Sequence, residues 1–95
     1  MQTGARVTTQ SGVEYLKKLC RHFAHKVPAT LSGDQGIIDF PFGRCRIDAT
    51  PDLIAFVIDI EEEREVSSAE RVVTDQLQRV ARREELSVQW VRCKL

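Results

Sequence analysis

The sequence predicts an α+β fold: a two-layer sandwich of a mostly antiparallel sheet of about six strands with two helices on one face. Two observations predict it. Two segments, around residues 13–23 and 69–80, carry apolar residues at helical spacing. Between them lies a meander of short alternating runs punctuated by Gly, Pro and Asp. Two amphipathic helices flanking such a meander give the order β-α-β-β-β-β-α-β, with both helices stacked on the same side. The 95 residues are enough for one domain, 1–95, around one modest core.

The first strand is read from alternation at Ala5, Val7 and Thr9. Ser11-Gly12-Val13-Glu14 has the spacing of a capping box, in which the Ser oxygen accepts from a helix amide and Glu14 reaches back. Val13, Leu16, Leu19, Cys20 and Phe23 follow at helical spacing, so a helix is predicted over 11–26, stopped by the restriction Pro28 places on Val27.

Residues 29–32 read as a strand, and Gly33-Asp34-Gln35-Gly36 as a turn. Ile38 and Phe40 then alternate with Ile37 and Asp39, and Pro41-Phe42-Gly43 reverses the chain. Cys45, Ile47 and Ala49 alternate with Arg44, Arg46 and Asp48 as a half-buried strand. After Thr50-Pro51-Asp52 comes Leu53 to Ile60, apolar on both faces for most of its length.

The acidic run 61–65 is a solvated connector. Ser67 and Glu70 repeat the capping-box spacing, and Ala69, Val72, Val73, Leu77 and Val80 form the stripe of a second helix running to about Glu84. Leu86, Val88 and Trp90 alternate in a last strand.

Net charge is formally zero, with seven Lys/Arg against four Asp/Glu in residues 1–50 and seven against ten in residues 51–95. Gripping nucleic-acid phosphates calls for a stronger basic bias, so no nucleic-acid partner is expected. No apolar run has the length of a membrane span or a signal peptide, which predicts a cytoplasmic protein with no membrane partner and three reduced cysteines. There is no glycine-rich phosphate loop, Gly-x-Ser-x-Gly elbow or Cys-x-x-Cys pair.

Chemistry, if any, concentrates in two stretches, Leu19 to Lys26 and Gly36 to Cys45, which hold both histidines, two cysteines and three of the four phenylalanines. On a helix His22 and His25 lie about 60° apart on the solvent side, near enough to touch one ligand, whereas Cys20 points to the core. The pair reads either as a half-site for a transition metal or as cationic groups beside the last-turn carbonyls. Cys45 projects with Ile47 and is expected in the core, as a small apolar residue or as a thiol near Cys20. Gln76 falls inside the apolar stripe of the second helix, where its amide needs a hydrogen-bond partner or a ligand. Leu53, Ala55 and Val57 are the apolar residues of the open sheet face, read as a dimer or partner surface or as residues shielded by Arg44 and Arg46 stems.

Tyr15-Leu16-x-x-Leu19-Cys20-x-His22-Phe23-Ala24-His25-Lys26, followed by Gly36-x-Ile38-Asp39-Phe40-Pro41-Phe42-Gly43-x-Cys45, resembles the bacterial domain-of-unknown-function family 2218. The resemblance extends to Arg83-Glu84-Glu85-Leu86 and Trp90 and covers nearly the whole chain. It implies a small stand-alone protein without an assigned activity, from a family whose domain also accompanies siderophore-interacting flavoproteins, and so a link to iron or siderophore handling. In the second helix, where the family pattern implies a His and aromatic residues, this chain has Gln76, Val80 and Arg82. A shared three-histidine metal site would lack its third ligand here.

The resulting expectation is a non-catalytic binding or accessory module, forming a homodimer or meeting another protein through the open sheet face, with no cofactor. Two alternatives stand beside it: a small metal- or thiol-dependent enzyme or redox sensor using His22, His25 and a cysteine, and a purely structural interaction module.

Overall fold

A computed structural model describes residues 1–93 of the chain. Its elements are β1 (Gln2–Thr8), α1 (Gly12–Phe23), β2 (Ala29–Ser32), β3 (Gln35–Phe40), β4 (Gly43–Ala49), β5 (Leu53–Ile60), α2 (Val66–Val80) and β6 (Val91–Cys93), with a 3-10 turn at Glu63–Glu65. The observed order is the one the sequence predicts. The strands form one sheet in the order β2-β3-β4-β5-β1-β6. Every neighbouring pair is antiparallel.

Alternation decides which residues enter the core. Ile38 on β3, Cys45, Ile47 and Ala49 on β4, and Ile54, Phe56, Ile58 and Ile60 on β5 all point to one face. Leu16, Leu19 and Phe23 of α1 and Val66, Ala69, Val73 and Leu77 of α2 meet them there in a single cluster. Each large side chain fully withdrawn in this way contributes about 1.5–3 kcal/mol. The opposite sheet face has no helix on it.

Several boundaries differ from the sequence expectation. Neither capping box forms, because no side chain caps α1 or α2. At α1 the Ser11 amide donates to Thr9 Oγ1 at 3.1 Å, and Glu14 pairs with Lys18 at 3.5 Å instead of reaching back. At α2 the 3-10 turn runs directly into the helix, so the cap position falls at Glu65 and Ser67 already lies in the first turn. A box needs an extended residue at its cap, and here the chain enters already coiled. α1 ends at Phe23 and unwinds through a turn to Lys26, whose amide donates to the Phe23 carbonyl at 2.9 Å. Gly36 belongs to β3, and the reversal before it is a two-residue turn at Gly33 and Asp34.

α2 ends at Val80, four residues earlier than its pattern suggests, and Val72 is exposed at its flank. Residues 81–90 then run without regular structure. Leu86, Val88 and Trp90 do turn toward the core as their alternation predicts, but ladder pairing with β1 is confined to Val91–Cys93. Side chains fasten this segment instead. Trp90 Nε1 donates to Thr74 Oγ1 of α2 at 2.8 Å, and its ring lies 6.1 Å from that of Phe56. Glu84 accepts from the Tyr15 hydroxyl and, at 2.8 Å, from Thr9 Oγ1. Arg92 donates to both carboxylate oxygens of Glu70, at 3.1 and 2.8 Å, and to Ser67 Oγ. Thr3, the buried hydroxyl on the inner face of β1, donates to Glu70 Oε2 at 2.6 Å.

Candidate functional site

The two motif stretches meet in space. Phe23 at the end of α1 packs edge-on against Phe40 of β3 (centroids 4.9 Å apart), and Phe40 stacks on Phe42 at 4.7 Å. Phe42 thus folds back over the sheet instead of forming an apolar tip. Cys20 and Leu16 press on the backbone of Gly36, where a β-carbon would sit 2.7 Å from the Sγ of one and the Cδ1 of the other. Cys45 lies near enough to Cys20 to feel its charge, and burial pushes the Cys45 thiol up to about 12, with Cys20 adding to the shift. Burial raises the Cys20 thiol as well. Both sulfurs are therefore neutral, inert core atoms at physiological pH.

The histidines stand apart from these thiols. His22 is half-buried, edge-on to Phe23 at 5.0 Å, and His25 is exposed in the turn that follows. Among the described residues no group of three His, Cys, Asp or Glu side chains is placed to hold a metal ion. Gln76 is half-buried on α2 beside the stripe of Val73 and Leu77, and no buried side-chain nitrogen or oxygen lacks a partner among the described residues. One measurement follows from these placements. A thiol reagent added to native protein at neutral pH should modify one thiol promptly, that of exposed Cys93. Cys20 and Cys45 should react only after unfolding; equal reactivity of all three in the native state would contradict their burial.

The uncovered sheet face is the larger assembly of unused side chains. Leu53, Ala55 and Val57 of β5 lie on it, each half-buried, and Ile37 of β3 and Val91 of β6 are exposed there. Register aligns Ile37, Arg46, Val57, Gly4 and Val91 in one row across five strands. A second row, two residues along, runs Asp39, Arg44, Asp59, Gln2. On the other side of the apolar row lie Gln35, Asp48, Ala55 and Arg6. Arg44 Nε donates to Asp39 at 2.7 Å, Gln2 Nε2 donates to Asp59 at 2.6 Å, and Arg46 stands 3.8 Å from Asp59. The arginine heads are thus drawn sideways to carboxylates, and the apolar row stays partly open to solvent.

What sequence reading missed is a pair of carboxylates that hold the C-terminal segment, Glu70 on α2 and the exposed Glu84 after it. Thr3 on β1 and Thr9 just past its end are both buried, and a buried hydroxyl needs a partner. That signal calls for a partner without naming it; the structure supplies Glu70 for Thr3 and Glu84 for Thr9. Their donors hold both carboxyls below the ordinary range, Arg92 chiefly for Glu70 and Tyr15 chiefly for Glu84.

No helix among the described residues is long and apolar enough to cross a membrane. A family model described as "Uncharacterized protein conserved in bacteria (DUF2218)" matches residues 4–91. The NMR structure of PA4090 from Pseudomonas aeruginosa is similar with a TM-score of 0.79 and 32% sequence identity, over 95% of this chain and 94% of that one. No curated protein matches.

Proposed function

This chain belongs to the DUF2218 family of uncharacterised bacterial proteins, and we propose that it is a non-catalytic binding module whose bare sheet face docks a second copy of itself. The observation that carries the reading is the apolar row through Ile37, Val57 and Val91, flanked on both sides by charged rows. The face holds three arginines (Arg6, Arg44, Arg46) and three aspartates (Asp39, Asp48, Asp59), a balance that favours a protein surface over a polyanion or an anionic membrane.

A two-fold axis along the row of Ile37, Arg46 and Val57 sets Arg44 against the partner's Asp48 and Asp48 against the partner's Arg44, as an isologous interface requires, while Arg46 on the axis faces its own copy with its head drawn aside to Asp59 at 3.8 Å. Six strands averaging about six residues, at ~3.3 Å per residue and ~4.8 Å per strand, give a footprint of about 550 Å². Side-chain relief brings that toward the ~800 Å² per partner of a standard interface.

Sedimentation equilibrium tests the reading. Wild type should have twice the mass of the 10.8 kDa chain, and Val57→Lys should be monomeric with an unchanged circular dichroism spectrum. Arg44→Asp should also dissociate, and adding Asp48→Arg to it should restore the dimer. A monomeric wild type at high concentration sinks the second copy as occupant. The finer link to iron or siderophore handling rests on the family resemblance; ferric ion retained in native mass spectrometry and lost in His22→Ala would favour the metal-dependent alternative.

A further inference from the structure

A cleft of about 1000 Å³ opens on the helix side of the molecule, between the start of α1 and the segment that follows α2. Of its lining residues only Thr8, at the end of β1, has the outward parity of the bare sheet face, and the size of the cleft is that of a small-molecule site. Its charges are unevenly committed. Glu14 is paired with Lys18, while Glu84, held ionised by the Tyr15 and Thr9 hydroxyls, keeps its negative charge in the cleft, so Arg82 and Arg83 leave an excess of one positive charge. Arg82 and Arg83 also line the cleft, both exposed, and neither has a carboxylate partner among the described residues. Ser11, whose hydroxyl caps no helix amide and interacts with the Tyr15 hydroxyl, lines the same cleft at the positive end of the α1 dipole.

We propose that this cleft binds a small anion bearing carboxylate or phosphate oxygens, held by the Arg82 and Arg83 guanidinium groups against the first turn of α1. A guanidinium fork takes two oxygens of either group at once, which makes arginine the suited residue for both. Tyr15 and Glu84 both line the site, and their hydrogen bond ties the arginine-bearing segment to α1. The inference is independent of the sheet-face reading.

Amide chemical-shift titrations with inorganic phosphate and with citrate, at constant ionic strength, test it. Saturable shifts at Ser11, Lys18, Arg82 and Arg83 are expected with at least one of the two anions. Which anion saturates identifies the phosphate or the carboxylate source. Affinity should fall about tenfold or more in Arg82→Ala/Arg83→Ala, since each charge-assisted fork carries at least that much. Arg44→Ala on the sheet face and Val57→Lys should bind as wild type does. Failure of both anions to saturate in the millimolar range, equal binding by the double variant, or shifts confined to the sheet face would each overturn the proposal.

Discussion

Gly43→Ala is expected to cost on the order of 4 kcal/mol or more, the range reserved for a named backbone or core failure. Gly43 opens β4 at φ +153°, where side-chain-bearing residues rarely sit, and an added β-carbon would lie 1.8 Å from the Asp59 carbonyl oxygen. No rotamer relieves that contact, because the obstacle is the backbone of β5, itself paired with β4 through Gly43 and Ile60. A 95-residue chain has roughly 5–14 kcal/mol of stability in all. At about 4–8 °C per kcal/mol, the melting temperature should drop by some 15–30 °C or the chain fail to fold. Gly33→Ala supplies the control. Gly33 also has a positive φ, +61°, but nothing lies within 4 Å of its added β-carbon. Only the conformational cost of about 1–2 kcal/mol should appear there. Equal losses in the two variants would show that the Asp59 contact is not the cause.

Gly36→Ala is expected to cost about 1–3 kcal/mol by overpacking. Its β-carbon would stand 2.7 Å from Cys20 Sγ and from Leu16 Cδ1, both in the layer between α1 and β3. These are side-chain ends, so α1 can shift or the side chains can yield, which makes the loss smaller than at Gly43. Cys20→Ala removes one of the two obstacles. The double variant should therefore recover part of the loss, with a coupling of about 0.5–3 kcal/mol measured by urea unfolding. Additive losses would mean that the helix and the glycine do not share this contact. The result bears on the motif itself: Cys20 and Gly36 then belong together as a close helix–sheet approach and not as chemistry.

The alternation of Cys45, Ile47 and Ala49, and of Ile54, Phe56, Ile58 and Ile60, made the core face of the sheet legible, because a strand's side chains change sides at every residue. The helical spacing of Leu16, Leu19, Cys20 and Phe23 did the same for α1. The open face followed from two helices sharing one side, and with it the placement of Leu53, Ala55 and Val57. Caps and ends were less legible. Ser11 and Ser67 have the right neighbours for capping boxes, but the Thr9 hydroxyl meets the Ser11 amide, and Arg92, distant in sequence, takes Ser67 and Glu70.

By itself, then, the sequence determined the element order, the helix-covered face and the inward thiols, since all three depend on periodicity and on neighbours a few residues away. Tertiary structure alone decided that β1 lies between β5 and β6, that the two motif stretches meet at Gly36 and Phe40, and that Tyr15, Thr9 and Glu84 join in a cleft beside two arginines with no carboxylate partner among the described residues. The physical reason is range: the partners of the Glu84 carboxylate are 69 and 75 residues away, and no local pattern selects one hydroxyl over another at that separation.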